Sequence, residues 1–137
     1  MRSEGGYSHL LRNGRLAQGS APPIGVRLPF DTVVLAAMEY QPDLPGHDVL
    51  HAPLDDGPPP TQDERALIRR SAHEVARRVR AGQRVLVTCW QGRNRSGVIA
   101  GLALVELGVP GAQAAAKIRR TRNGLTNPYF FEMVAQA

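Results

Sequence analysis

The feature that most constrains the fold is a short β-branched run followed directly by a glycine-containing loop and an apolar helix. Residues 84–88 read Arg-Val-Leu-Val-Thr, a pattern typical of a strand covered on both faces. Residues 96–107 are predicted to form a helix that Gly108 and Pro110 end. Residues 89–95 must therefore connect a buried strand to a helix N-terminus within a few positions.

Other segments supply the remaining elements of an α/β fold. A helix beginning at Thr61 is indicated by the capping-box pattern that Thr61 forms with Glu64, and its apolar positions recur at the spacing of an amphipathic helix. Gly82 is expected to end it. The other predicted elements are strands at residues 30–37 and 49–54 and helices at residues 112–122 and 127–137.

We predict one domain over residues 1–137, because this length is ordinary for a single hydrophobic core. The expected architecture is α/β: a small central sheet of mostly parallel strands with helices on both faces, and residues 89–95 at the carboxyl end of a strand. Residues 1–20 are polar, so we expect them to be loosely ordered in part, with a short edge strand at residues 15–19.

The charge and cysteine content narrow the environment and the partners. Seventeen Lys and Arg against 12 Asp and Glu give a net charge of +5, which attracts anions. Basic residues on the first predicted helix share it with acidic ones, as on a solvated outer face, and lack interleaved aromatic residues, so we expect no nucleic-acid partner. One cysteine excludes an internal disulfide and favours a reducing compartment. Without a signal peptide or a membrane span, we expect a cytoplasmic location.

The loop at residues 89–95 has the properties of an anion-binding site. A helix N-terminus presents unpaired amides and a partial positive charge, and Gly92 can adopt the positive φ that such a bend needs. Amides and the Arg95 guanidinium around Cys89 would favour its nucleophilic thiolate. Arg95 can also bind two phosphate oxygens in a bidentate manner. The Ser96 hydroxyl is placed to hydrogen-bond the thiolate.

Cys89, Gly92, Arg95 and Ser96 together resemble the Cys-x5-Arg-Ser/Thr signature loop of protein tyrosine phosphatases. The strand–loop–helix context is similar to that of the compact dual-specificity branch. Residues 127–130 also resemble the Asn-x-x-Phe element of that family's last helix. An isolated cysteine is more often a small buried apolar residue, but the complete signature outweighs that interpretation.

The resemblance implies a cysteine-dependent phosphatase that hydrolyses phosphomonoesters through a phosphocysteine intermediate. The expected substrates are phosphorylated proteins, with phosphotyrosine first and phosphoserine or phosphothreonine second. The active site would hold phosphate or another oxyanion, without a metal or cofactor. The residues expected to surround the phosphate are Trp90, Gln91, Gly92, Arg93, Asn94 and Arg95.

The family's pattern also places a general-acid aspartate on a separate loop about thirty residues before the cysteine. Asp56 lies 33 residues before Cys89. Such a residue protonates the leaving oxygen and then, as a carboxylate, activates water against phosphocysteine. Asp55 is the alternative. We favour Asp56 because it precedes Gly57, as the family's aspartate commonly precedes Gly or Phe.

Thr88 departs from the pattern, because the family usually has a histidine immediately before its cysteine. The Thr88 hydroxyl is expected to supply part of the missing hydrogen bonding. Residues 38–45 and 55–60 are expected to line the rim, with Glu39 and Tyr40 as contacts.

Three alternative functions stay open. A phosphoinositide or RNA 5′-phosphate phosphatase is suggested by Arg93 and the basic charge. A non-catalytic phosphate-binding module is suggested by Thr88. A rhodanese-type sulfur carrier also has a cysteine loop before a helix, but Arg95 followed by Ser96 fits it less well.

Overall fold

The computed structural model describes residues 6–137. In chain order, its elements are β1 (Tyr7–His9), β2 (Leu16–Gly19), β3 (Thr32–Ala37), β4 (Asp48–Leu54), α1 (Gln62–Arg80), β5 (Val85–Thr88), α2 (Arg95–Glu106), α3 (Gly111–Arg122) and α4 (Pro128–Ala135). None of the helices in this part of the chain combines the length and apolar character that a membrane crossing requires.

The strands form one five-stranded sheet in the order β1-β2-β5-β3-β4. β2, β5, β3 and β4 run parallel to their neighbours, and only the β1–β2 pair is antiparallel. The carboxyl ends of these parallel strands therefore meet at one edge of the sheet. The loops that follow β2, β3, β4 and β5 come together there, which is where ligands bind in open α/β sheets.

The two faces of the sheet are covered differently. All four helices of the described chain contribute buried side chains to the larger apolar cluster, which packs on the face carrying Val34 and Val87. The other face, with Val33 and Leu86, packs against Phe30 and Leu44 from the connecting segments. The α/β class and the mostly parallel sheet are confirmed.

The prediction of helices on both faces does not hold, since connecting segments cover the second face. These segments, residues 20–31 and 38–47, contain five prolines between them. Proline lacks an amide donor and disfavours a helix interior, so these segments cross the sheet as loops.

Two strands, β1 and β2, form within residues 6–20, which were expected to be loosely ordered in part. β2 lies between β1 and β5, so the expected edge strand is an interior strand and β1 forms the edge. All four residues of β2 are buried, because the segment pairs on both sides. Residues 1–5, which also belonged to the segment expected to be loosely ordered, lie outside the described residues.

Helix α1 begins as the capping box predicts. The Thr61 hydroxyl accepts a hydrogen bond from the Glu64 amide at 3.1 Å, and the Glu64 carboxylate accepts one from the Thr61 amide at 2.9 Å. These two contacts satisfy donors that an uncapped helix leaves unpaired.

Candidate active site

Cys89 lies at the base of the signature loop (residues 89–95), one residue beyond the end of β5. Its amide donates to the Gly19 carbonyl at 3.3 Å, so the neighbouring strand β2 fixes the start of the loop. Only 4% of Cys89 is exposed. Its Sγ is 3.2 Å from the Ser96 Oγ at the start of α2, within hydrogen-bonding distance. The predicted pairing of these two side chains is thus present in the structure.

The backbone N–H groups that follow Cys89 in the signature loop are unpaired within the described chain and can bind a ligand. Within residues 6–137, the amides of residues 90–96 donate no hydrogen bond to another protein group, and no side chain caps the N-terminus of α2. Unpaired amides at a helix start favour an anion. The loop that the sequence predicts to bind phosphate therefore has free amide donors beside the Cys89 sulfur.

Gly92 allows the backbone of the signature loop to bend. Its φ is +72°, a left-handed conformation that side chains other than glycine rarely adopt. A Cβ at this position would lie 2.6 Å from the Gly19 carbonyl carbon and 2.7 Å from the Ser20 amide nitrogen. The glycine is required both by the turn and by the close approach of the loop to the end of β2.

Arg95 is oriented by Glu39. The Arg95 Nη1 donates to the Glu39 Oε1 at 2.6 Å and to the Leu54 carbonyl at 3.1 Å, and its Nη2 donates to the Glu39 Oε2 at 2.8 Å. The Arg95 Nε is buried and has no partner among the described residues. A guanidinium has five N–H donors. Glu39 occupies one edge of the fork, so the edge formed by Nε and the remaining Nη2 hydrogen stays available for an oxyanion.

The Glu39–Arg95 pair changes the protonation of both groups. The hydrogen bonds from Arg95, more than its charge, lower the pKa of Glu39 to about 2. The pKa of Arg95 is raised above its usual value, chiefly by the hydrogen bonds that it donates to Glu39, with smaller contributions from the negative charges of Cys89, Glu39 and Asp56. Glu39 was predicted as a rim contact, and the structure gives it this direct role beside the signature loop.

Asp56 contacts the signature loop, whereas Asp55 does not. The Asp56 Oδ2 accepts a hydrogen bond from the Asn94 Nδ2 at 3.2 Å, and its Oδ1 accepts one from the Asn127 Nδ2 at 2.9 Å. The Asp55 Oδ1 instead accepts from the Asp56 amide, and the Asp55 amide donates to Glu64. Of the two aspartates, Asp56 is thus the one that faces the cysteine loop.

Asn94 connects three parts of the site. Besides contacting Asp56, its Oδ1 accepts hydrogen bonds from the Asn127 amide at 3.0 Å and the Thr126 hydroxyl at 3.2 Å. The Asn127 Oδ1 caps α4 by accepting from the amide of Tyr129 at 3.0 Å. Asn127 therefore both caps α4 and holds the Asp56 carboxylate.

Two buried side chains, which were not predicted from the sequence, donate hydrogen bonds to carbonyl groups of the signature loop. The Arg122 Nε donates to the Gly92 carbonyl at 2.9 Å. The Gln18 Nε2 lies 3.1 Å from the Gly92 carbonyl oxygen and 3.3 Å from the Arg93 carbonyl oxygen. Both residues are far from Cys89 in sequence. In the sequence, Gln18 is a polar residue within the short strand pattern of β2, and this was the one signal that it could have a role in the site.

Thr88 does not replace the usual histidine as expected. Its hydroxyl donates to the Val34 carbonyl on β3 at 2.7 Å. Since a hydroxyl has one proton to donate, the Thr88 proton is directed to the sheet and not to the loop. The prediction that this residue supplies a hydrogen bond to the site is wrong.

Aromatic side chains lie beside the signature loop. Trp90 is 52% exposed although it follows the buried Cys89. Its ring packs edge-to-face on Tyr40 with centroids 5.6 Å apart, and the Tyr40 hydroxyl donates to the Pro22 carbonyl at 2.5 Å. These contacts hold an accessible aromatic surface next to the cysteine. Elsewhere, no three His, Cys, Asp or Glu side chains of the described chain converge as a metal site would require.

The sequence matches no protein-family model and no curated protein, but the fold matches solved phosphatase structures. Human DUSP28 is 26% identical with a TM-score of 0.74, over 89% of this chain and 86% of that one. A mutant form of Tk-PTP is 25% identical with a TM-score of 0.77, over 96% and 93% of the two chains.

A third match is the human tyrosine phosphatase-like serine/threonine/tyrosine-interacting protein, which is 17% identical with a TM-score of 0.77 over 96% of this chain and 95% of that one. At this identity it supports the fold alone. The signature loop between β5 and α2 predicts a phosphatase fold. The solved structures that the chain matches are phosphatases or phosphatase-like and so support the same fold. In fold the chain is similar to dual-specificity and tyrosine phosphatases, the resemblance that its signature loop predicts.

Proposed function

We propose that the chain is a cysteine-dependent phosphatase that hydrolyses phosphomonoesters of proteins, with phosphotyrosine as its first substrate. The observation that supports this most strongly is the set of unpaired donors around Cys89. Amides of residues 90–96 and the buried Arg95 Nε lack partners in the described chain. Unpaired amides at a helix N-terminus favour an anion, and the buried Arg95 Nε lacks the partner that a buried donor needs. An oxyanion bound in the signature loop would satisfy both.

In the first half-reaction, the Cys89 thiolate attacks phosphorus and the bond to the leaving oxygen breaks. The free edge of Arg95 and the loop amides bind the phosphoryl oxygens as charge develops on them. Asp56, in its protonated form, transfers a proton to the leaving oxygen. Its contact with Asn94 supports this assignment, because it holds the carboxyl group against the signature loop.

In the second half-reaction, Asp56 accepts a proton from water as the water oxygen attacks the phosphorus of phosphocysteine. The sulfur–phosphorus bond breaks, and the sulfur leaves with its electron pair as a thiolate. Ser96 lies at hydrogen-bonding distance from that sulfur. The same carboxyl group thus acts as acid and then as base.

The exposed aromatic surface favours phosphotyrosine among the phosphoprotein substrates. Trp90 is half exposed beside Cys89, and an aromatic ring can stack on another ring. Hydrolysis of phosphoserine and phosphothreonine proteins is included in the proposal, since DUSP28 is named as a dual-specificity relative of the fold. A cytoplasmic location suits this chemistry, because an oxidised Cys89 has no second cysteine with which to form a protective disulfide.

The test is hydrolysis of p-nitrophenyl phosphate and a phosphotyrosine peptide by the protein and by its Cys89→Ser variant. We expect turnover by the wild type and none by the variant, because a serine hydroxyl is a far weaker nucleophile than a thiolate. The variant should still bind vanadate or phosphate, since the donors remain. Measurable hydrolysis by the variant would show that Cys89 is not the nucleophile. A soluble phosphoinositide is assayed in parallel. Faster hydrolysis of this compound than of the phosphotyrosine peptide would favour the phosphoinositide phosphatase that Arg93 suggests.

A phosphate-binding module without catalysis is the second candidate. It is favoured by Thr88, which directs its hydroxyl to Val34, and by the name of one structural neighbour, a phosphatase-like interacting protein. This candidate predicts binding of a phosphotyrosine peptide with no release of phosphate. Absence of p-nitrophenyl phosphate hydrolysis between about pH 5 and pH 7, near which catalytic acids and bases commonly operate, would favour it over the enzyme.

A further inference from the structure

Gln18 is a fully buried amide in β2, with 0% of its surface exposed, and it contacts the signature loop from the side opposite the solvent. Its Nε2 lies 3.0 Å from the Ser96 Oγ, in addition to its contacts with the Gly92 and Arg93 carbonyl oxygens. The same amide nitrogen thus contacts both the loop carbonyls and Ser96. This position makes Gln18 the link between β2 and the hydroxyl beside the cysteine.

The orientation of the Gln18 amide follows from its neighbours. Carbonyl oxygens only accept hydrogen bonds, so the group facing Gly92 and Arg93 must be the NH₂ and not the oxygen. The Gln18 Oε1 then has no hydrogen-bond partner among residues 6–137. A buried acceptor left unpaired disfavours folding. An apolar side chain in β2 would avoid that unpaired atom, which indicates that the amide serves the site rather than the stability of the strand.

The direction of the Ser96 hydrogen bonds follows in turn. An amide nitrogen cannot accept a hydrogen bond, so the Ser96 Oγ accepts from Gln18 and cannot donate to it. A Cys89 thiol can donate to the Ser96 Oγ, which lies 3.2 Å from the Sγ. A thiolate has no proton to donate, so in that state the Ser96 proton can be donated to the sulfur. We propose that Gln18 is a positioning residue that holds the Ser96 hydroxyl as a hydrogen-bond donor to the sulfur of Cys89. This inference rests on the proposed phosphatase function.

The step that benefits is the breakdown of phosphocysteine. Water attacks phosphorus, one water proton passes to the Asp56 carboxylate, and the sulfur–phosphorus bond breaks with both electrons remaining on sulfur. The products are inorganic phosphate, a neutral Asp56 and the Cys89 thiolate. A donated hydrogen bond from Ser96 stabilises the charge that appears on sulfur. Loss of Gln18 frees the Ser96 hydroxyl to rotate away, and the sulfur then becomes a poorer leaving group.

The test uses the full chain and its variants Gln18→Leu, Ser96→Ala and the double substitution, with p-nitrophenyl phosphate in rapid-mixing experiments. Each single substitution should slow steady-state turnover about ten- to a hundred-fold, the effect of one hydrogen bond to a charged group. Each should also produce a burst of p-nitrophenol, because breakdown of phosphocysteine becomes limiting. Gln18→Leu should cause no further loss of turnover in the Ser96→Ala background.

Two kinetic results would overturn the inference. One is an independent effect, in which Gln18→Leu slows turnover by the same factor with and without Ser96. The other is slower turnover without a burst, which would place Gln18 in binding or in the first half-reaction. Thermal unfolding serves as the folding control, and Gln18→Met, which keeps the side-chain length, is the second variant. If neither variant folds, Gln18 is a structural residue and the inference is wrong.

A failure of the proposed function itself would look different. The wild-type protein would then release no p-nitrophenol at all. The Gln18 and Ser96 variants would have no wild-type rate with which to be compared. Active wild-type protein with independent effects of the two substitutions rejects the role of Gln18 while leaving the phosphatase intact.

Discussion

At the scale of single residues, the candidate site depends on which partner each polar atom has. Arg95 is bound by Glu39 on one edge of its guanidinium, and this leaves the other edge free. Asp55 and Asp56 are adjacent in the chain, but only Asp56 accepts hydrogen bonds from the loop and from α4. Residue identity alone does not distinguish these two carboxylates, whereas their partners do.

The two aspartates give a matched pair of substitutions. Asp56→Asn should lower the rate with phenyl phosphate, which has a poor leaving group, by about a hundred-fold, the usual effect of a general acid. The loss with p-nitrophenyl phosphate should be smaller, because its leaving group needs less protonation. Asp55→Asn should change either rate only a few-fold. The assignment is wrong if the larger loss follows the Asp55 substitution.

At the scale of elements, the start of α1 is tied to the acidic loop (residues 55–60). The Glu64 carboxylate accepts hydrogen bonds from the Thr61 amide and from the Asp55 amide. The Thr61 amide contributes most to lowering the pKa of Glu64. Helix capping and the position of the loop that carries Asp56 are therefore coupled through one carboxylate.

Removal of the cap should be measurable in stability. Thr61→Ala should lower the free energy of unfolding by about 1 kcal/mol, the usual cost of losing an N-cap side chain. Thr121→Ala, within α3, is the control and should leave the free energy unchanged or slightly raised, because alanine favours helix more than threonine does. Urea denaturation of the three proteins measures both effects. Equal values for Thr61→Ala and wild type would show that the cap does not stabilise α1.

Helices α2 and α4 pack closely because Gly101 in α2 has no side chain. A Cβ at Gly101 would lie 2.8 Å from the Val134 Cγ2 and 2.9 Å from its Cγ1, and Val134 is fully buried. Gly101→Ala should destabilise the protein by about 1–3 kcal/mol through overpacking, although alanine favours helix. Adding Val134→Ala should relieve part of the clash. The idea fails if the two substitutions destabilise independently in urea denaturation.

At the scale of the whole molecule, ion pairs between distant segments and within one helix make the free energy of unfolding depend on pH in the acid range. Glu39, after β3, pairs with Arg95 at the start of α2, and Glu74 pairs with Arg77 and Arg78 within α1. Hydrogen bonds from these arginines lower the pKa of each glutamate to about 2 from 4.5. A carboxyl group whose pKa falls on folding stabilises the native state above its unfolded pKa.

This stabilisation is complete above the unfolded pKa of about 4.5 and is lost as the pH falls from there towards 2. The free energy of unfolding should therefore decrease between pH 5 and pH 3. Glu39→Gln should reduce this decrease, because the amide does not titrate. The change should be small, since the Glu39 side chain is 51% exposed and exposed ion pairs contribute at most about 1 kcal/mol. An unchanged pH dependence in the variant would contradict this account of Glu39.

Much of the fold follows from local patterns. The Thr61 cap, the buried strand before Cys89 and the apolar helix after it were all predicted, because each depends on contacts between residues near one another in sequence. The position of β2 inside the sheet was missed, since it depends on pairing with β1 and with the distant β5. The covering of the second face by loops was missed for a similar reason: Phe30 and Leu44 meet the sheet only after the chain has folded back.

For the candidate site, the sequence by itself determined the reactive set. Cys89, Gly92, Arg95 and Ser96 lie within eight positions, so a strand–loop–helix connection is enough to bring them together. Tertiary structure decided which aspartate faces the loop, that Glu39 occupies one edge of Arg95, and that Gln18 and Arg122 support the loop carbonyls. The hydrogen bonds of these partners to the loop and to Ser96 span 30 to 78 residues along the chain. They form only when parallel strands align their carboxyl ends at one edge.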